Sequence, residues 1–581
     1  MSREADQQAQ IAGEGGGRPA VPPDYPRLFA TVAALVAFIC AAFTAVASAA
    51  VWLLFAFTDL TEEPAFLPKL AVKAALFLVL AGVAAAILWR LRHTAPPEAP
   101  QPPAAPAPPI GTRFAPLLAL AAFALLLIPN LDRYPHAMPD EIHHLIVARN
   151  LAEHGLYASG RPDTAFKLFD DYDSVGPPVL VPVAAAFRVA GTGLVAGRTV
   201  MAVFSLLFLA AVYAFCAPLF GRPAAVMSAL CASTAWGSVY LGRTLYGEVP
   251  ALLFLVIGLT LWRTSISGRR ALLTGTAAGL AFGLAILCKN FMILSAWAFL
   301  GALVYDRLSY RRIGWRHIVS PALGTAAVVA AWPLIQSLFR DVATGAAWGQ
   351  LSMYRHNLLF GLDSAPVTLG WLARWWAPVA ASAIALLALV PTVFRRRYDP
   401  AAVVLVLFVS FQTYWWVFFT TGNIPRYLWY ATALGALFTG AAAWRAFAAS
   451  APAAGRGGGG RRAALIAAGL LLLAPSAHNI VHEAGKVYGS DEMHDDRVLA
   501  EYVRDLPEAA AIASPLWDVR RALDFLADRH VQNPGKTLDS AARYDVLVVS
   551  SRNEPDLPAG LVLDATIGRY AVFTRRSGQT P

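Results

Sequence analysis

The sequence predicts an all-α polytopic membrane protein, with about thirteen transmembrane helices and a small α/β domain at its C-terminal end. Three observations predict this fold class. Hydrophobic residues make up 57% of the 581 residues and charged residues only 14%, well below the roughly 25% that is usual in soluble domains. Apolar runs of about 18 residues or more recur along the chain, and this length crosses a bilayer as a helix. After residue 480 the composition becomes charged and mixed.

The N-terminal region divides into three parts. Residues 1–27 are polar and contain several Gly and Pro, so we expect a disordered cytoplasmic tail. Residues 28–93 hold two apolar runs, which predict a transmembrane hairpin ending near Arg90 and Arg92. Residues 94–112 consist mainly of Pro and Ala and are predicted to form an extended linker.

The arginines orient the remaining spans. They concentrate in alternate loops, and positive charge in short loops marks the cytoplasmic side of a membrane protein. With all these loops inside, the N-terminus is cytoplasmic and residues 481–581 lie outside. The net charge of +10 therefore reflects topology and does not predict nucleic-acid binding. The predicted spans after the hairpin are 113–130, 198–219, 223–241, 248–264, 271–288, 290–305, 317–338, 367–394, 401–420, 426–447 and 463–480.

Two regions lie outside the membrane in this scheme. The longer loop, residues 131–197, contains a short apolar stretch, Pro178–Val189, which predicts a helix lying in the membrane interface. The extracytoplasmic domain, residues 481–581, alternates helical and strand patterns. Its predicted helices are His494–Arg504 and Trp517–Asp528, and its predicted strands are Asp545–Ser550, Leu561–Ile567 and Tyr570–Thr574.

The outer loop begins with an unusual segment, Pro139–Gly155. Its apolar residues fall at helical spacings and predict an amphipathic helix. Asp140 and His144 are one helical turn apart, with Glu141 and His143 beside them. Two interpretations are open: Asp140 caps the helix, or the carboxylates serve a site at the membrane surface, where ionisable groups are costly unless they are used.

Three other turns on the predicted outer side carry charges. One turn holds Arg243 and Glu248, whose charge would meet the positive end of the following helix. Lys289 lies between two spans, and Arg426 with Tyr427 begins another. The rigid fork of a guanidinium suits phosphate. The alternatives are a structural cap for Glu248 and a snorkelling position at the interface for Lys289.

Together these segments resemble a known family over about residues 113–450. They are similar to the GT-C class of membrane glycosyltransferases, which use a polyprenyl-phosphate-linked sugar and include the protein O-mannosyltransferases and the lipid A aminoarabinose transferases. The segments that carry the resemblance are Asp140-Glu141, the helix 148–155, Gly197-Arg198, Leu219–Arg222, Arg243 with Glu248, Leu287–Asn290 and Pro425–Tyr427.

The resemblance implies a GT-C-like transmembrane catalytic domain over residues 113–480. It implies an inverting transfer of a hexosyl or pentosyl group to a lipid, glycan or protein hydroxyl, at the outer face of a bacterial inner membrane. Asp140 would be the general base and Glu141 would support it. The expected supporting or substrate-binding residues are His143, His144, Asp173 and Glu248.

The sequence departs from the family at one position. The family often places a Lys before a Pro-Pro pair in the outer loop to contact the lipid phosphate, and this chain has Gly176 there. The donor phosphate is then expected to bind other cations, namely Lys289, Arg243 and Arg426. Tyr427, the neighbour of Arg426, is expected to contact it as well. If a divalent cation such as Mg²⁺ or Mn²⁺ takes part, its ligands within reach are Asp173, Glu248 and His144.

A transporter or flippase of lipid-linked saccharides is the alternative function. Ionisable residues of a transporter lie in mid-span and face a cavity. Here the middles of the predicted spans are almost free of ionisable residues, and the charges cluster at one rim. The sequence therefore favours the enzyme.

Overall fold

The structure is a computed structural model. It describes residues 25–58, 66–91, 114–162, 165–170, 174–268, 270–339, 367, 369–371, 373, 376–396, 398–419, 425–450, 459–534, 543–552 and 560–575. The predicted tail, the linker and Asp173 lie outside these ranges, except for the first helical residues after position 24.

Helices dominate the first 489 residues, and within the described ranges nine helical segments are long and apolar enough to cross a membrane. This confirms the predicted fold class.

The helices up to the outer loop are α1 (Tyr25–Thr58), α2 (Phe66–Leu91) and α3 (Ala115–Leu127). The outer loop contains α4 (Pro139–His154), strands β1 (Ala158–Arg161) and β2 (Ala165–Leu168), and α5 (Pro177–Ala190). The next helices are α6 (Leu194–Phe220), α7 (Arg222–Ser233), α8 (Ser238–Arg243), α9 (Glu248–Ser267), α10 (Ala271–Cys288), α11 (Ser295–Ser309), α12 (Arg316–Phe339), α13 (Trp376–Pro391), α14 (Pro400–Phe419), α15 (Trp429–Ser450) and α16 (Gly459–Gly489).

One predicted span is interrupted. Residues 223–241 form two helices, α7 and α8, because the chain turns at Thr234–Gly237, where Gly237 adopts a positive φ of 79°. The ring of Trp429 lies 3.3 Å from where a Cβ of Gly237 would stand, so the turn packs tightly against α15. The break directs α8 and its terminal Arg243 under the outer loop.

The N-terminal hairpin packs on the rest of the bundle through α1. Phe43 contacts Trp297 of α11 edge-on, with 5.6 Å between the ring centroids, and Phe411 of α14 at 5.1 Å. The hydroxyls of Thr44 and Tyr414 are 2.8 Å apart. Because lipid gives helices no hydrophobic reason to associate, such close packing and hydrogen bonding hold membrane helices together.

The C-terminal region forms a five-stranded sheet with two helices, α17 (His494–Arg504) and α18 (Trp517–Leu526). The strands are β3 (Ile512–Ala513), β4 (Val531–Gln532), β5 (Val546–Ser550), β6 (Leu561–Ile567) and β7 (Tyr570–Arg575). Their spatial order is β4-β3-β5-β7-β6, with β3 parallel to β4 and β5 and the other pairs antiparallel. The predicted strands are observed within one residue, and the sheet also has two short strands that the sequence did not predict.

Candidate functional site

The helix α4 is buried on all sides, and the predicted amphipathic stripe is therefore wrong. Every residue from Glu141 to Asn150 is buried. The helix begins at Pro139, after the extended residue Met138, and no side chain caps it. Asp140 thus lies inside the first turn and does not serve as the N-cap, although its charge still meets the positive end of the helix dipole.

Asp140 meets a cation from a distant part of the chain. Its Oδ2 accepts a hydrogen bond from Arg426 Nη2 at 2.8 Å. The side chains are 24% and 20% exposed respectively, so this pair reaches the protein surface. The guanidinium also lies over the rings of Tyr246 and Tyr427, 4.6 Å and 5.4 Å from their centroids. The structure therefore brings these two predicted residues together at a partly exposed surface.

Glu141 points the other way, into the protein. Its two carboxylate oxygens accept from Nε and Nη2 of Arg198 on α6, at 2.9 and 2.8 Å, and both side chains are fully buried. Nη1 of Arg198 donates to the carbonyl oxygen of Leu131 at 2.8 Å. This bidentate pair fixes the first turn of α4 against α6 and so fixes where Asp140 stands.

The turn between α8 and α9 collects several of the predicted residues. The carbonyl oxygen of Leu245 accepts from Nδ1 of His144 at 2.6 Å. The carbonyl oxygen of Tyr246 accepts from Nζ of Lys289 at 3.1 Å. The same ammonium donates to Oγ of Ser174 at 3.2 Å and lies 3.5 Å from Oε1 of Glu248. Lys289 is therefore enclosed by acceptors and is not a snorkelling lysine.

His144 is neutral in this setting. A carbonyl oxygen can only accept, so Nδ1 carries the proton and Nε2 carries the lone pair. Burial, with smaller contributions from the nearby His143 and Lys289, lowers the pKa of His144 to about 3. His143 is also fully buried, with its ring 6.0 Å from that of His144.

Several buried polar atoms of this region lack a hydrogen-bond partner within the described residues. They are both carboxylate oxygens of Glu248, Nε2 of His144 and the hydroxyl of Tyr430. A buried polar atom without a partner is costly, typically by about 1–3 kcal/mol. These atoms are therefore candidates to contact a bound ligand.

The expected ligands of a divalent cation are only partly described. Of its expected ligands, Asp173 lies outside the described ranges, and inside them no three metal-ligating side chains come together. Glu248 instead lies 3.5 Å from the ammonium of Lys289, which would repel a metal ion.

Arg243 occupies a different place from the other predicted cations. It is fully buried at the end of α8, and its guanidinium donates to carbonyl oxygens of the last turn of α3 and of the segment that links α3 and α4. The acceptors are Tyr134 at 3.0 and 2.8 Å, Leu126 at 2.9 Å and Pro129 at 2.6 Å. Its donors are thus engaged in holding that segment.

Gly176 explains the departure from the family pattern. Its N–H donates to the carbonyl oxygen of Leu287 at 2.9 Å, and a Cβ added at Gly176 would stand 2.3 Å from the same oxygen. A lysine does not fit there. Lys289, two residues after Leu287, instead sends its ammonium to Ser174 on the Gly176 segment.

The C-terminal domain docks on α4, which sequence reasoning did not predict. Arg149 of α4 and Arg161 of β1 both approach Asp524 of α18, at 3.6 and 3.2 Å, and Asp528, at 3.3 and 2.7 Å. Burial raises the pKa of Asp524, while the two arginines oppose that rise. Charge pairs between residues about 370 positions apart leave no periodic signal in a sequence.

Comparisons with known proteins agree with this architecture. Residues 176–335 match a family described as dolichyl-phosphate-mannose-protein mannosyltransferase. A comparison with curated protein sequences finds no match.

Two solved structures have a similar fold. The crystal structure of ArnT from Cupriavidus metallidurans bound to undecaprenyl phosphate has a TM-score of 0.55 at 14% identity, over 81% of this chain and 98% of that one. The archaeal oligosaccharyltransferase AglB from Archaeoglobus fulgidus, in complex with an inhibitory peptide and a dolichol-phosphate, has a TM-score of 0.52 at 13% identity, over 76% of this chain and 69% of that one. Together with the family match, these structures confirm the resemblance to the GT-C class.

Proposed function

We propose that this protein, which has the fold of the GT-C glycosyltransferases, transfers a sugar from a polyprenyl-phosphate-linked donor to a hydroxyl of an acceptor. One observation carries the proposal: Oδ2 of Asp140 and Nη2 of Arg426 meet at 2.8 Å at a partly exposed rim. The ammonium of Lys289 lies nearby, 3.1 Å from the carbonyl oxygen of Tyr246, whose ring lies under Arg426. A carboxylate can accept a proton, and the cations can bind phosphate. The similar folds solved with undecaprenyl phosphate and with a dolichol-phosphate support a lipid-phosphate donor.

In the proposed reaction, a hydroxyl oxygen of the acceptor attacks the anomeric carbon of the sugar. The glycosidic bond forms as the bond from that carbon to the phosphate oxygen breaks, and the lipid phosphate leaves with the bonding electrons. Asp140 takes the hydroxyl proton as general base. Attack opposite the leaving phosphate inverts the configuration. Glu141 supports the base by holding α4 through Arg198.

Lys289 and Arg426 are the proposed phosphate ligands. Negative charge grows on the phosphate as its bond to the sugar breaks, so cations placed beside it stabilise the transition state. Nε of Arg426 is buried and has no hydrogen-bond partner in the described part of the chain, which leaves a donor for a phosphate oxygen. Tyr427 would form a wall of this site beside the guanidinium. Arg243 is not proposed as a ligand, because its guanidinium is fully buried against main-chain carbonyl oxygens, whereas the ammonium of Lys289 also meets the side chains of Ser174 and Glu248.

We place the reaction at the outer face of a bacterial inner membrane, with the N-terminus in the cytoplasm and the C-terminal domain outside. The arginine-rich alternate loops support this orientation. A site at the rim would meet the donor's phosphate at the interface while the polyprenyl tail stays in the lipid.

The test is an assay with the purified full chain in vesicles and a panel of undecaprenyl-phosphate-linked sugars labelled in the sugar. We expect the release of undecaprenyl phosphate and the transfer of label to an acceptor fraction. Lys289→Ala and Arg426→Ala should each raise the KM for the donor by about ten- to hundredfold, the usual effect of losing a hydrogen bond to a charged group.

Arg133→Ala is the control, because Arg133 is an exposed cation of the outer loop, 3.9 Å from Asp132, and should leave the KM unchanged. Normal donor dependence in both test variants would refute the phosphate assignment. Movement of intact donor across the bilayer, without cleavage of the bond from sugar to phosphate, would favour a flippase.

A further inference from the structure

Tyr246 contacts both cations that the proposed function assigns to the donor phosphate. Its ring lies under the guanidinium of Arg426, 4.6 Å from ring centroid to Cζ. Its carbonyl oxygen accepts from Nζ of Lys289 at 3.1 Å. Only 1% of the residue is exposed. A single buried residue therefore joins two cations that come from separate turns.

The turn that carries Tyr246 is held in place on both sides. Leu245 accepts from the ring of His144 through its carbonyl oxygen. Gly247 has a φ of +82°, and a Cβ there would stand 2.5 Å from the carbonyl oxygen of Cys288. Only glycine adopts this conformation at this distance without strain. The ring of Tyr246 is thus fixed relative to α4 and to the Lys289 turn.

The contact through the ring matters because it uses none of the hydrogen-bond donors of Arg426. A cation over an aromatic face is attracted by the negative charge of the ring face. Burial raises the pKa of Tyr246, so the ring is a neutral phenol. Nη2 of Arg426 remains for Asp140, and Nε remains without a partner among the described residues. The ring orients the guanidinium while its N–H groups stay available to a ligand.

We propose that Tyr246 is a positioning residue of the donor-phosphate site, a role that rests on the proposed function. Its ring holds the guanidinium of Arg426 between Asp140 and the bound phosphate. Its carbonyl oxygen directs the ammonium of Lys289 toward the same phosphate. Tyr246 touches neither the sugar nor the acceptor in this role, and acts through the two cations.

The experiment measures binding of undecaprenyl phosphate alone to the purified full chain and to its variants. Tyr246→Leu removes the ring face and should weaken binding about tenfold, since a desolvated cation–π contact contributes about this much. Tyr246→Phe keeps the ring and should bind within about twofold of the unmodified protein. In an Arg426→Ala background, Tyr246→Leu should weaken binding by much less than tenfold, because the ring then has no guanidinium to position.

Two controls separate this role from a structural one. Tyr305→Leu removes a buried tyrosine whose hydroxyl donates to the carbonyl oxygen of Phe394 at 3.1 Å, and it should leave binding unchanged. Thermal unfolding of each variant reports folding separately. A tenfold loss that persists in the Arg426→Ala background, or that Tyr246→Phe also shows, would overturn the inference alone. Failure of the unmodified protein to bind the lipid phosphate would overturn the proposed function as well.

Discussion

Replacing Asp140 by Asn tests the base directly. The change keeps the size of the side chain and an oxygen that can accept from Nη2 of Arg426. It removes the negative charge and with it the ability to take a proton from a hydroxyl. Because α4 starts after Met138 without a side-chain cap, the substitution removes no capping hydrogen bond.

The effects on stability and on turnover should differ widely. The pair between Asp140 and Arg426 is partly exposed, and such ion pairs contribute about 1 kcal/mol or less. Loss of the charge at the helix start adds about 0.3–1 kcal/mol. The substitution should therefore lower the free energy of unfolding by at most about 2 kcal/mol. Turnover should fall by about a hundredfold or more, the usual contribution of a general base.

The assay compares turnover of Asp140→Asn and Asp132→Asn with the labelled donor, alongside thermal unfolding in the same detergent. Asp132 is the matched control, because it is a half-exposed carboxylate of the same loop that pairs with Arg497. It should keep normal turnover. If Asp140→Asn keeps turnover within about threefold of the unmodified protein, the side chain is not the base and its pairing with Arg426 is structural.

Three other predictions follow from the structure. Glu141→Gln should destabilise the protein by about 3–5 kcal/mol in thermal unfolding, because it leaves the buried charge of Arg198 unpaired; a change below about 1 kcal/mol would contradict this. His144 is neutral when folded and has a lowered pKa, so the unfolded state binds its proton first and stability falls as pH drops below about 6.5. The free energy of unfolding should be about 2 kcal/mol lower at pH 5 than at pH 7, and His144→Asn should abolish this difference. Reporter fusions at Pro581 and within residues 454–460 should give opposite sidedness, and equal sidedness would refute the topology.

Much of the fold could be predicted from the sequence because lipid imposes a simple rule. A helix that crosses the bilayer must satisfy its backbone internally and face lipid with apolar groups, so length and composition alone reveal it. The run Ala271–Cys288 illustrates this, since the helix matches the predicted span. The break in residues 223–241 was not predicted, because one glycine in an apolar run does not mark a turn, and the Trp429 ring that packs against Gly237 is about 190 positions away.

The burial of α4 shows a second limit. Its apolar residues fall at helical spacings on one stripe, which predicts an exposed polar face opposite them. The structure covers that face with α5, β1 and the C-terminal domain, and Arg149 is paired with Asp524. The C-terminal domain lies hundreds of positions from α4 in the sequence, so the part of the helix that it covers leaves no mark on local periodicity.

The membership of the site was easier to predict than its pairings. Assigning the arginine-rich loops to one side placed Asp140, Lys289 and Arg426 together on the other. It could not distinguish Arg426 from Arg243, because both are cations beside an outer turn. What separates them is the segment that links α3 and α4, whose carbonyl oxygens engage Arg243 and leave Arg426 to meet Asp140.

The position of Lys289, which we propose as a phosphate ligand, depends on a contact between two segments of the chain. Gly176 brings its backbone against Leu287 so closely that no side chain fits between them. That contact places the next turn, and with it Lys289, beside Ser174. In the proposed function, Lys289 supplies to the donor phosphate the ammonium that the family places on the other of these two touching segments. The glycine that removes a lysine from one segment is also the residue that allows the other segment to approach.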